Sequence, residues 1–203
     1  MKMLNNFSMV TKSVVGITAV ILSCTNAAAD PSWMPTTGRT SQPVGHYEFC
    51  QQYPAGCQPN APAAIPALTS ELWAQMSEIN NSVNVAIFPR TDEEMFGVAE
   101  LWSYPTTEGD CEDYALLKQY MLERIGVPRS ALLITVLRQR NGAGHAVLTV
   151  RTQEGDFVLD NLDERILVWN ETDYLYLKRQ SEEDAGKWVA IADDRDILVG
   201  SIR

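Results

Sequence analysis

The sequence predicts an α+β domain, with helices early in the chain and antiparallel strands after them. Three observations carry this. Apolar residues recur at helical spacing in two segments between about residues 69 and 125. From Leu132 onward the period changes to two, in short β-branched runs separated by turn residues. A cysteine, Cys111, opens the second helix, and a histidine and an aspartate stand on the strands beyond it.

The chain begins with Lys2, Lys12 and no acidic residue before Asp30. An apolar run from Val14 to Leu22 leads to Ala27-Ala28-Ala29. This is the pattern of a signal peptide over residues 1–29, cut after Ala29, and it predicts an exported protein. The run falls short of the roughly 20 apolar residues that a membrane helix needs. An uncleaved anchor and a lipoprotein built on Cys24 are the alternatives, but Leu22 fits a lipobox poorly. The full chain carries a net charge of −10, and loss of the two leader lysines leaves −12 on 174 residues. That length suits one domain with a real core. The charge excludes nucleic acid and anionic membrane surfaces as partners, and it is compatible with calcium or a basic partner.

Residues 30–67 hold seven of the ten prolines and are expected to form an irregular N-terminal arm. Trp33, Tyr47, Phe49 and Tyr53 give the arm surface to bury against the domain spanning 68–203. Export implies an oxidising compartment, so Cys50 and Cys57, close together in this stretch, are expected to pair. Cys111 is then the odd cysteine of the exported chain. It is a working thiol, an intermolecular link or an inert buried thiol.

The first helix is expected from Thr69 or Ser70, with Leu72, Trp73, Met76, Ile79 and Val83 on one face and Asn80 and Asn84 on or beside it. Thr91-Asp92-Glu93-Glu94 reads as a capping box opening a short helix, and Pro105 and Gly109 bracket a loop. The second main helix runs from about Asp110 to Ile125, with Tyr114, Leu117, Met121 and Ile125 as its apolar stripe. Gly126 and Pro128 end it. Strands follow at Leu132–Leu137, His145–Arg151, Phe157–Asn161, Tyr174–Lys178 and Lys187–Ala192.

The chemistry centres on Cys111. A thiol in the first turn of a helix lies at the positive end of the helix dipole, which favours the nucleophilic thiolate. Asp110, Glu112 and Asp113 oppose this, so a histidine or a cation has to compensate. His145 opens a strand after a glycine-rich turn. With an even loop around Gln153–Gly155, Arg151 faces Asp156, and Asp160 then falls opposite Val147. That places Asp160 diagonal to His145, at roughly 7–8 Å between Cα atoms. His145 is thus a candidate base for Cys111, and Asp160 a candidate orienting acid.

These residues carry a resemblance. Gly109-Asp110-Cys111-Glu112-Asp113-Tyr114-Ala115, His145-Ala146-Val147-Leu148 and Leu159-Asp160-Asn161-Leu162 occur in order, and the chain resembles the bacterial transglutaminase-like cysteine proteinases from about Phe49 to Ile191. The resemblance implies a papain-like, transglutaminase-type fold, with the nucleophile at a helix N-terminus packed on an antiparallel sheet. It implies Cys111, His145 and Asp160 as the catalytic triad of an endopeptidase. By analogy with LapG-like periplasmic members, it implies periplasmic location and calcium held by Asp110 and Glu112 with help from Asp113. For such members the substrate is a large surface adhesin cleaved in biofilm control, and the partner is a membrane receptor for cyclic-di-GMP. The same triad also serves a transglutaminase-type acyltransferase or an amidase, because a thioester accepts an amine or water alike. A non-catalytic binding module on the same fold is the third alternative.

Overall fold

The computed structural model describes residues 30–195, and the leader read from residues 1–29 lies outside them. The chain enters as strand β1 (Thr36–Thr40), helix α1 (Val44–Gln52) and a 3₁₀ turn at Pro54–Cys57. It continues through α2 (Ser70–Ala86), β2 (Phe88–Pro89), α3 (Asp92–Phe96), β3 (Glu108–Gly109) and α4 (Cys111–Arg124). Six strands follow: β4 (Leu132–Arg138), β5 (Gly144–Thr152), β6 (Gly155–Leu159), β7 (Leu167–Val168), β8 (Leu175–Gln180) and β9 (Trp188–Ile191). The expected α+β order is observed.

Local chemistry sets the helix starts. The Thr69 hydroxyl caps α2 by accepting from the Leu72 amide. Thr91 and Glu94 close a reciprocal capping box on α3. Helix α4 ends before Gly126, whose φ of 101° is costly for any residue with a side chain.

Seven strands form one antiparallel sheet in the order β1-β9-β8-β4-β5-β6-β7. Helices α2 and α4 pack on one face, where Met76, Leu116 and Leu122 meet Leu132, Ile134, Leu148 and Leu159. Leu116 and Leu122 are at most 1% exposed, and each stabilises the fold by about 1.5–3 kcal/mol. A second cluster covers the other face with Met34, Leu137, Val147, Val158, Trp169 and Tyr176.

Two expectations are corrected. The arm is irregular only in part: β1 is an edge strand of the main sheet, α1 sends Phe49 into the main core, and residues 60–69 carry no helix or strand. Its prolines sit where they are tolerated, Pro43 just before α1 and Pro54 at the start of the 3₁₀ turn. Trp33 and Tyr47, by contrast, remain exposed. The apolar stripe of α4 also differs. Leu117 and Met121 are half-buried and Ile125 is exposed, whereas Ala115, Lys118, Gln119 and Leu122 are buried. The helix contacts α2 on one side and β4 and β5 on another, so no single stripe describes it.

Candidate active site

Cys111 is the first residue of α4 and is the free cysteine among the described residues; Cys50 and Cys57 are joined by a disulfide. Asp110 takes the N-cap position in an extended conformation, yet its side chain makes no capping hydrogen bond. Gly109 must be a glycine for reasons of space: a Cβ there would lie 2.9 Å from the Asp113 Cβ and 3.1 Å from the Pro105 Cβ.

The β5–β6 hairpin has the even two-residue loop, with Arg151 opposite Asp156 and Thr152 opposite Gly155. The last pair of that ladder is Leu148 with Leu159, while β5 runs on beside β4 as far as Gly144. Residues 144–147 therefore present an open edge on the β6 side. Cys111 lies against this edge at the Ala146 amide, one residue from His145. His145 is buried, and its Nε2 lies 2.8 Å from Asp160 Oδ1. The Leu162 amide donates to the same oxygen at 3.0 Å, and Asn84 of α2 donates to the Asp160 carbonyl at 2.8 Å. Burial alone would raise the Asp160 pKa, but the hydrogen bond and attraction of His145, with hydrogen bonds from the Tyr174 hydroxyl and the Leu162 amide, outweigh it and hold the carboxyl below its usual range.

The thiol has a different partner. Cys111 Sγ donates to Glu112 Oε2 at 3.1 Å, and no hydrogen bond joins it to His145. Burial, followed by the Glu112 charge, pushes the thiol well above its ordinary range, and only the Ala146 amide pulls it back. The expected depression at the helix start is therefore overridden in this arrangement by desolvation and a neighbouring acid.

The acids beside Cys111 divide into two groups. Asp110 and Asp113 gather with Asp92, each offering an oxygen within 4.8 Å of the others. Glu112 falls outside that set: its Oε2 accepts from the thiol, although it also bears on the Asp110 side chain. Burial raises the pKa of all three clustered acids, to about 7 for Asp113. Asp92 Oδ1 and Asp110 Oδ1 are buried without a hydrogen-bond partner. Asp92 Oδ2 accepts from the Leu101 amide, and Asp113 Oδ1 accepts from the Ser103 amide at 2.7 Å. Oxygens around a calcium ion sit at 2.3–2.6 Å from it, so they lie no more than about 5 Å apart. The cluster meets that limit, and its all-oxygen, negatively charged donors fit a hard divalent cation.

Asp92, Asn84 and Leu162 were not singled out as site residues from the sequence. Asp92 is disguised as an ordinary acid in a capping box, eighteen positions before Asp110. Asn84 carried a faint signal, as a polar residue beside an otherwise apolar helix face.

The family model for the bacterial transglutaminase-like cysteine proteinases (BTLCP) matches residues 36–196. Among solved structures, the fold is similar to calcium-bound LapG from Legionella pneumophila, with 24% identity, a TM-score of 0.51, and coverage of 61% of this chain and 71% of that one. The EGTA-treated form of the same protein gives 28% identity and a TM-score of 0.50, covering 61% of this chain and 72% of that one. No curated protein sequence matches. An unpaired thiol at a helix start, a His–Asp pair on the adjoining hairpin and the family match across most of the chain agree, and the chain belongs to the bacterial transglutaminase-like cysteine proteinases.

Proposed function

We propose that this chain is an exported, periplasmic endopeptidase that cleaves a protein substrate with Cys111 as nucleophile, His145 as base and Asp160 as orienting acid. The observation that carries it is the buried contact of His145 Nε2 with Asp160 Oδ1, placed one residue from the strand edge that receives Cys111. With Nε2–H donated to Asp160, the Nδ1 lone pair is left to act as the base.

The reaction then runs through these residues. Cys111 gives its proton to His145 Nδ1, and the thiolate attacks the scissile carbonyl carbon. The Cys111 amide, in the first turn of α4 and without an intrahelical partner, faces the developing oxyanion. His145 returns the proton to the departing amine as the peptide bond breaks, leaving a thioester. Water, deprotonated by His145, attacks the thioester and releases the acid and the thiol. Asp160 holds the ring and stabilises the imidazolium in both halves.

Calcium is the cation we assign to Asp92, Asp110 and Asp113. Support comes from the oxygen spacing, the two unpartnered buried oxygens and the existence of a calcium-bound structure of LapG. When bound, it supplies positive charge beside a thiol that is otherwise surrounded by acids. A large surface adhesin as substrate, in biofilm control, and a periplasmic receptor domain for cyclic-di-GMP as partner follow the family resemblance and rest on it alone.

The test is proteolysis of a candidate adhesin by the wild type and by Cys111→Ala, with calcium and with EGTA. Cleavage that survives Cys111→Ala would refute the assignment. Product analysis with an added amine separates hydrolysis from acyl transfer.

A further inference from the structure

The triad reading leaves one oxygen of Asp160 unassigned. Oδ1 is engaged by His145 Nε2 and by the Leu162 amide. Oδ2 accepts from the Tyr174 hydroxyl at 2.5 Å. We propose that Tyr174 is a positioning residue, which fixes the plane of the Asp160 carboxylate and through it the His145 ring. This rests on the catalytic triad proposed above and deepens it.

The physical need is plain. The terminal torsion of an aspartate is broad, so a carboxylate held through one oxygen can rock about its Cβ–Cγ bond. A donor on the second oxygen removes that freedom. Charge-assisted hydrogen bonds are the strong ones and are the means by which such groups are oriented. The Tyr174 ring also stands 5.7 Å from the His145 ring, so one side chain bears on both members of the pair.

Two further observations distinguish this from a chance contact. First, Asp160 and Tyr174 both line a cavity of about 380 Å³, yet Asp160 is only 2% exposed. The Tyr174 hydroxyl occupies Oδ2, the acceptor for which water in that cavity would compete. Second, Tyr174 is delivered by a clamped backbone. Arg195 donates to the Tyr174 carbonyl at 2.6 Å and to the Thr172 carbonyl at 3.1 Å, and its guanidinium lies over the Trp169 ring at 4.7 Å. Asp193 holds Arg195 in turn. Burial and the Asp160 charge raise the Tyr174 pKa, which keeps the phenol protonated and therefore a donor.

The experiment compares full-length wild type, Tyr174→Phe and Asp160→Asn with calcium present. It follows the rate of Cys111 alkylation by iodoacetamide and the proton NMR signal of the His145 Nε2–H. Tyr174→Phe is expected to slow alkylation about tenfold, the value of one hydrogen bond to a charged group. It should also broaden or shift the Nε2–H signal, and loss of that hydrogen bond should lower the melting temperature by about 3–6 °C. If Asp160→Asn slows alkylation and alters the signal but Tyr174→Phe changes neither, this inference fails and the triad stands. If Asp160→Asn changes neither, the triad reading fails and this inference falls with it. A purely structural Tyr174 would lower the melting temperature and leave rate and signal untouched, which also overturns the proposal.

Discussion

Replacing Asp92 by asparagine should stabilise the metal-free protein and nearly abolish its response to calcium. The oxygens of Asp92, Asp110 and Asp113 lie within 4.8 Å of one another. Two unit charges at that distance repel by about 3.5 kcal/mol at an effective dielectric of ~20, and Asp92 faces two such neighbours. The protein avoids most of this cost by retaining protons, since burial raises the pKa of all three acids. What remains is the strain of an unpartnered buried oxygen, Asp92 Oδ1, at about 1–2 kcal/mol. Asparagine keeps an oxygen for the Leu101 amide and loses the charge. In EGTA, Asp92→Asn should therefore melt about 2–8 °C above wild type. Calcium at 100 times its dissociation constant stabilises wild type by about 2.7 kcal/mol, or about 5–11 °C. A ligand loss worth about 100-fold in affinity cuts this gain to about 1–2 °C. Thermal melts of both proteins in calcium and in EGTA read both signs at once. A variant that melts below wild type in EGTA yet gains as much from calcium would refute the cation site at Asp92.

Three further outcomes are expected. Gly109→Ala forces a Cβ to within 2.9 Å of Asp113, so it should cost about 1–3 kcal/mol in urea unfolding and weaken calcium binding in titration calorimetry. Lys118 is 1% exposed, its Nζ lacks a partner, and burial lowers its pKa from 10.5 to about 7 against the pull of Asp160. The unfolded lysine binds the extra proton between those two values, so stability climbs as pH rises from 7 to 10 and the penalty is complete below pH 7. Lys118→Met should accordingly stabilise the protein by up to about 4 kcal/mol at pH 6 and by little at pH 10, and equal urea midpoint shifts at both pH values would contradict this. Converting Cys50 and Cys57 together to serine opens a loop of sequence separation 7 and should cost about 2.5 kcal/mol in the same assay.

Local chemistry was legible in the sequence and long-range closure was not. The capping box at Thr91, the stop at Gly126 and the β5–β6 register all follow from residues within a few positions of one another. Given an even loop, which the structure has, that register places Asp160 diagonal to His145. The cation cluster was only half legible. Asp110 and Asp113, three apart, face one way at the start of α4, while the residue between them and next to Cys111 turns to the thiol. Asp92 was out of reach because only the folded loop, tied by the Leu101 amide, returns it to Asp110. Likewise, no local pattern in Thr36–Thr40 announces a strand, because its partner is β9 at the far end of the chain.

That pairing sets an order of assembly. Strand β1 and the residues before it cross the sheet, with Ser32 bridged to Gly155 at one end and Thr36–Thr40 laid along β9 at the other. Synthesis releases β1 first and β9 last, so the edge strand waits for nearly the whole chain before it has a neighbour. Closing so long a loop is slow, as in folds dominated by non-local contacts. Until Trp188–Ile191 arrive, β8 keeps an open edge that another chain can occupy. A chain truncated before Trp188 is thus an aggregation hazard, because β8 and β1 both lack their shared neighbour β9.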